Sequence, residues 1–320
     1  MDTSKKWKSR FLSSSVPLEF ETARVLTSLN ISVSHDYSFS RRESLDYKEF
    51  SCDLKGLGYF PLGNNDQVDA TIELLVECKY RDEGKGWIFL PELDLPEFSN
   101  QTLGYAIRNI TSFSRTTIKY GPIYDLEEIF SFSPKGVEIN FNNGEVFDKD
   151  IRHGILQLKY ALPYLIQDAI LGNIYGHIND AKPRFIVPIL VTNADLYLLN
   201  KEFSIESLKK CNAIEEIASK VPYLLFYSNI GPDFTEHHKQ VFESFYDKIR
   251  KNQSLLNFEN YQSQVKNQYG MYKSPINECQ ELQNSYRSAL LPYYTHFIIC
   301  SFKHFEVLVK QILSSIEQSI

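Results

Sequence analysis

A chain of 320 residues, 43% hydrophobic and 23% charged, is long enough for one large domain or two ordinary ones, and its composition argues against disorder. Its formal net charge of −6 counts mildly against a pure nucleic-acid-binding module, which is normally basic, but leaves room for an enzyme with a local basic groove. Cys52, Cys78, Cys211, Cys279 and Cys300 lie far apart with no CxxC pair, which argues against a disulfide framework or zinc ribbon and fits a reducing cytoplasm.

Residues 1–15 form a polar, basic lead-in with no apolar stretch of signal-peptide length. Lys5, Lys6, Lys8 and Arg10 surround Trp7, a grouping able to grip a phosphate backbone but more often a solvated tail. Pro17 suits the first turn of a helix running to about Leu29, where Leu18, Glu21, Val25 and Leu29 share an inward face. A strand is predicted over about 50–59, then a loop through Pro61 and Gly63.

The strand at 71–80 is the most informative segment. Alternation puts Ile72, Leu74, Val76 and Cys78 on one apolar face, and Glu73, Leu75, Glu77 and Lys79 on the other. In the preceding strand Phe50, Cys52 and Leu54 make the apolar set, leaving Asp53 and Lys55 opposite. Paired as a hairpin, the two strands would put Asp53, Glu77 and Lys79 on one face.

Residues 82–150 read as an inserted β-rich elaboration, with a hairpin at Asn143-Gly144. A helix over 151–171 carries Ile155, Leu158, Leu162, Leu165 and Ala169, with a kink expected at Pro163. The apolar run at 185–191 is too short to cross a bilayer and predicts a strand buried at the centre of a sheet. Strands at 195–199 and 221–227 flank a helix at about 204–219. Strand signals then vanish, so 1–232 and 233–320 are expected as separate regions, the second helical. Its apolar stretch from Leu290 to Ile312 must either pack on the core or serve a homodimer or protein-partner interface.

An acidic residue two before a lysine occurs five times: Asp46/Lys48, Asp53/Lys55, Glu77/Lys79, Glu83/Lys85 and Asp180/Lys182. Only Glu77/Lys79 ends a long strand whose other face is wholly apolar. Phosphodiester cleavage gives that spacing a purpose. Two carboxylates can hold Mg²⁺ ions that polarise a phosphate and acidify a bound water, while a lysine on the same strand face orients that water or stabilises the transition state.

These residues resemble the PD-(D/E)XK (restriction-endonuclease-like) nucleases: Phe20-Glu21 on the first helix, Asp53 on the second core strand, and Leu75-Val-Glu-Cys-Lys79 on the third. The resemblance, over about residues 16–200, implies an α/β fold with an αβββαβ core, a mixed central sheet, the insertion at 82–150 and a C-terminal helical region. It implies catalytic Glu21, Asp53, Glu77 and Lys79, with Mg²⁺ or Mn²⁺ held by Asp53, Glu77 and the carbonyl of Cys78. Gln157 answers to the polar residue that some members add on the later helix. The loop from Asp53 to Glu77 is longer than the family's pattern, which makes Asp69 a competitor for the second ligand position. By resemblance the substrate is nucleic acid, DNA rather than RNA, and the setting a prokaryotic restriction or antiphage system in the cytoplasm, with no membrane partner. The alternative is a catalytically silent nucleic-acid-binding or scaffolding subunit.

Three other chemistries fare worse. His237-His238 are adjacent on a helix and point apart, so a metal pair is disfavoured. No Gly-flanked nucleophile and no GxxxxGK[ST] run occur.

Overall fold

The computed structural model describes residues 3–43, 46–63, 67–93, 104–110, 118–175, 182–251, 280, 282–284 and 287–320. In chain order the elements are α1 (Thr3–Ser13), α2 (Val16–Ser28), β1 (Ser32–Glu43), β2 (Asp46–Phe60), β3 (Ala70–Lys79), β4 (Lys85–Phe89), β5 (Arg108–Ile110), α3 (Gly121–Glu127), β6 (Phe132–Ser133), β7 (Gly136–Asn140) and β8 (Val146–Phe147). They continue with α4 (Lys149–Tyr175), β9 (Arg184–Thr192), β10 (Asp195–Leu199), α5 (Ile205–Lys210), β11 (Ala218–Val221), β12 (Tyr223–Tyr227), α6 (Pro232–Lys251), α7 (Arg287–Tyr294), β13 (His296–Ser301) and α8 (Phe305–Ser319).

The architecture is α/β around a mixed sheet. Eight strands run in the order β1-β2-β3-β9-β13-β12-β6, with β5 beside β9. β1, β2 and β3 form an antiparallel meander, and β9 lies parallel to β3 over its whole length. Such a parallel neighbour needs a crossover, and α4 supplies it. Both faces of β9 are covered, which is why its sequence is apolar without alternation.

Two cores sandwich this sheet. On one face α2, α3 and α8 bury Leu18, Leu26, Ile123, Phe305 and Ile312 against Ile72, Leu74, Val76 and Cys78. On the other, α4 and α6 bury Ile155, Leu158, Leu162, Leu165, Phe234 and Phe242 against Leu75, Ile186 and Leu190. α4 comes close because residue 154 is glycine. A Cβ there would stand 2.6 Å from the Leu190 side chain and 3.4 Å from Lys79 Cε. A second sheet, β11-β10-β4-β7-β8, is built largely from the insertion, and the expected hairpin turns at Gly144 with φ +74°.

The structure departs from expectation in several places, among them the 12-residue strand β1, which no predicted strand covers. Residues 3–13 are helical rather than an unstructured lead-in. The predicted helix at 204–219 is only α5, followed by a 3-10 turn at Ile214–Glu216 and the start of β11. Residues past 233 are not a helical appendage: β13 is a fully buried strand bonded between β9 and β12, and α8 closes the core beside α2. A short apolar run carries no readable period when both its faces are buried, which is how His296–Ser301 passed for helix. The stretch from 290 to 312 therefore packs on the core. Two further departures, at Asp53 and Glu21, belong to the site. The helical expectation over 252–279, together with Cys279 and Asp180, lies outside the described residues.

Among the described residues, no helix is long and apolar enough to cross a membrane.

Candidate active site

The site is built at the C-terminal end of β3. Ile72, Leu74, Val76 and Cys78 anchor the strand in the α2 core, so Glu73, Leu75, Glu77 and Lys79 face α4 as the alternation requires. The strand end is held firmly. The Thr192 hydroxyl donates to the Lys79 carbonyl at 2.8 Å, and Asn193 exchanges two hydrogen bonds with the Arg81 backbone at 2.6 and 2.7 Å. The Tyr80 N–H donates to the Ser15 hydroxyl, which brings the start of α2 to the same place.

Asp53 arrives there through a break in the sheet. The β1–β2 ladder skips one position between His35↔Leu54 and Tyr37↔Cys52, where Asp36 adopts φ +54°. Pairing of β2 with β3 stops at Leu54↔Val76. The expected set of Phe50, Cys52 and Leu54 is thereby split: Phe50 and Cys52 belong to the α4 core and Leu54 to the α2 core. Strict alternation fails at Asp53, whose carboxylate turns across to accept the Cys78 N–H at 2.7 Å. Asp53 and Glu77 thus meet as expected, though by a different route. Asp69 does not compete. It precedes Ala70 at the other end of β3, roughly 25 Å away along the strand, and accepts from Gln67 Nε2 at 3.1 Å.

Glu77 is completely buried. Its Oε1 pairs with Lys79 Nζ at 2.5 Å, while its Oε2 has no hydrogen-bond partner among the described residues. Burial and the neighbouring Asp53 charge push its carboxyl up to about 8, against the opposing pull of Lys79. Burial also raises Asp53, opposed by its Cys78 hydrogen bond and by Lys79. Lys79 Nζ reaches Gln157 Oε1 on α4 at 3.2 Å, and Gln157 Nε2 is fixed on the Ser51 carbonyl at 2.9 Å. The lysine is therefore aimed by a side chain that is itself held.

Glu21 is not part of this arrangement. It is exposed, in an open groove with Phe20, Arg24, His35 and Phe302. The α2 carboxylate at the site is Glu19, which partial burial and the nearby charges of Asp53 and Asp36 push up to about 7. Readable spacing marked it: Glu19, Thr22, Ala23 and Leu26 lie at i, i+3, i+4 and i+7, and the last three are buried. Leu18 and Val25 do point inward, but Glu21 lies off that stripe. Asp36 was also missed, because its role rests on a backbone conformation that no residue pattern announced. His153, one turn before Gln157 on α4, is near enough for the Lys79 charge to help hold its imidazole below the usual range, after burial.

A divalent ion suits this place. The donors on hand would be the Asp53 and Glu77 carboxylates and the Cys78 carbonyl, and a buried carboxylate oxygen with no partner among the described residues is one a cation would satisfy. Among the described residues, no three His, Cys, Asp or Glu side chains gather closely enough to hold an ion unaided. The remaining coordination positions would fall to water and to substrate phosphate, as is usual for Mg²⁺.

His237 and His238 lie elsewhere, in the core under α6. His237 Nε2 is 3.1 Å from the Tyr160 carbonyl, and His238 packs on Phe242 and Tyr294. Burial pushes them down to about 4 and about 3.

The sequence matches no protein-family model, and no curated protein or solved structure matches it either.

Proposed function

We propose that this chain is a metal-dependent nuclease of the PD-(D/E)XK class that hydrolyses phosphodiester bonds, with DNA as substrate. The observation that carries the reading is the partnerless, fully buried Oε2 of Glu77, with Asp53 beside it and Lys79 held at 2.5 Å on its other oxygen. A folding chain avoids burying an unsatisfied carboxylate unless the site gains from it. The order helix, three antiparallel strands, crossover helix and parallel strand, from α2 through β9, supports the restriction-endonuclease-like assignment.

A bound Mg²⁺ or Mn²⁺ would supply Lewis acidity to the phosphate and lower the pKa of a water. Asp53, Glu77 and the Cys78 carbonyl would hold it. Glu19, rather than Glu21, takes the outer acidic position. Lys79, steadied by Gln157, presents its ammonium where negative charge develops on the phosphoryl oxygens. A prokaryotic restriction or antiphage system, in the cytoplasm, is the setting that this chemistry suits.

The test is cleavage of plasmid and single-stranded DNA with Mg²⁺ or Mn²⁺, wild type beside Lys79→Ala. Cleavage by the wild type alone is expected. Equal cleavage by both would assign the activity elsewhere. Silence in both, together with no Mn²⁺ binding, would favour the scaffold reading.

A further inference from the structure

The first helix is anomalous. α1 is 11 residues long, and each of its residues from Lys6 to Ser13 is exposed. A helix of fewer than about 12–15 residues is marginal in water unless it packs a face against something. α1 instead shows solvent two aromatic rings, Trp7 at 59% and Phe11 at 51% exposure. Their i, i+4 spacing puts them on one face, about 6 Å apart along the axis. Lys6 and Arg10 lie to one side of this face and Lys8 to the other, with Lys8 Nζ 5.8 Å from the Trp7 ring centre. The helix sequence TSKKWKSRFLS holds four cations and no acid, in a chain whose net charge is −6.

Position adds a second observation. α1 runs through Ser14 and Ser15 into α2, and Ser15 accepts the N–H of Tyr80, the residue after Lys79. The aromatic, basic helix therefore leads into the very end of β3 where Glu77 and Lys79 stand. Rings flanked by cations are what a single strand of nucleic acid requires, because every base has a face to stack and every nucleotide a phosphate to neutralise. A duplex hides its base faces, and an acidic partner would leave the rings unused.

We infer that α1 is a binding arm for single-stranded nucleic acid: bases stack on Trp7 and Phe11, Lys6, Lys8 and Arg10 hold the backbone, and the strand is handed toward Lys79. This rests on the nuclease reading for its direction, though not for the binding itself.

Tryptophan fluorescence tests it, because the chain has two tryptophans and the other, Trp87, is fully buried. Oligothymidylate and oligouridylate are titrated into the full chain in EDTA, so that no cleavage intervenes. Quenching is expected with at least one of them, and their ratio tells DNA from RNA. Trp7→Phe should abolish the quench, and Trp7→Ala should weaken binding by roughly tenfold. The triple variant Lys6→Ala, Lys8→Ala, Arg10→Ala should flatten the slope of log affinity against log salt by about 2. Unchanged affinity in both Trp7→Ala and the triple variant overturns the inference. So does a blue shift on phosphatidylserine vesicles with no response to either oligonucleotide, which would make α1 a membrane-surface helix. A chain that binds through Trp7 but never cuts counts against the nuclease reading alone. One that cuts while Trp7 stays silent counts against the arm alone.

Discussion

Glu73 and Glu77 occupy the same strand and face the same way, and each has a lysine within 2.8 Å, yet their situations are opposite. Glu73 Oε2 makes no well-directed hydrogen bond either, but Lys55 Nζ stands 2.8 Å from it and Arg184 stands 3.7 Å from Oε1, so both oxygens face cations. Glu77 has one cation, one bare oxygen and a second carboxylate across from it. Burial with a lysine partner therefore does not identify a reactive carboxylate. What separates the two is whether the local charges balance. At Glu73 they do, and the residue ties β2, β3 and β9 together. At Glu77 they do not, and the proposed metal ion would supply the missing charge.

The widest separation of the two ends should come from cleavage. Lys79→Ala is expected to lower metal-dependent cleavage by about a thousandfold, measured per folded molecule, far more than its loss of the Glu77 ion pair lowers the folded fraction. Glu73→Ala should do the reverse. Lys55 loses its carboxylate, costing about 2–3 kcal/mol in denaturant unfolding, while the folded fraction cuts at the wild-type rate. If Glu73→Ala abolished cleavage with the fold intact, the two ends would not be distinct.

A smaller effect follows from protonation. Glu77 has its carboxyl raised from 4.5 to about 8 in the folded chain, so the folded state holds a proton that the unfolded state releases. Its contribution to stability is then fully present below about pH 4.5 and is lost as pH rises through about 8, by on the order of a few kcal/mol. Glu19, raised to about 7, adds a decline of the same sign. Melting temperatures between pH 5.5 and 8.5 should show the fall, and Glu77→Gln should reduce it. Mn²⁺ competes with that proton, so it should raise the melting temperature more at pH 8 than at pH 6, and not in Glu77→Gln. The smallest contrast lies on α2: Glu19→Gln should slow cleavage by roughly tenfold, whereas Glu21→Gln should not change it.

Much of this site was legible because strand alternation is a strong rule. It put Glu77 and Lys79 together, and the apolar opposite face of β3 made the register certain. Asp53 was found for a partly mistaken reason. Alternation was extended through a position where Asp36 turns the backbone left-handed and breaks the ladder. Aspartate enters the left-handed region more readily than most residues, but that preference alone does not mark a break in a strand. On α2 the helical period is visible, but Leu18, Val25 and Leu29 mark only the edge of the buried face, whose centre is the tighter stripe of Thr22, Ala23 and Leu26. The last third of the chain was the hardest to read, since β13 is buried on both faces and its partners β9 and β12 are distant in sequence.

That distance has a consequence for timing. β9 ends at Thr192, and its neighbour β13 begins roughly a hundred residues later, at His296. A ribosome adding 5–20 residues per second leaves that edge of β9 without β13 for on the order of 5–20 s. During that interval β3 can already be made, with Glu77 and Lys79 in place, but the layer beneath them is incomplete. On the proposed nuclease reading a cell gains from this order, because a chain still lacking β13 has an incomplete core around Glu77 and Lys79. Chains arrested before His296 should therefore be protease-sensitive and inert toward DNA, and those arrested well beyond Ser319 on an added linker should be neither.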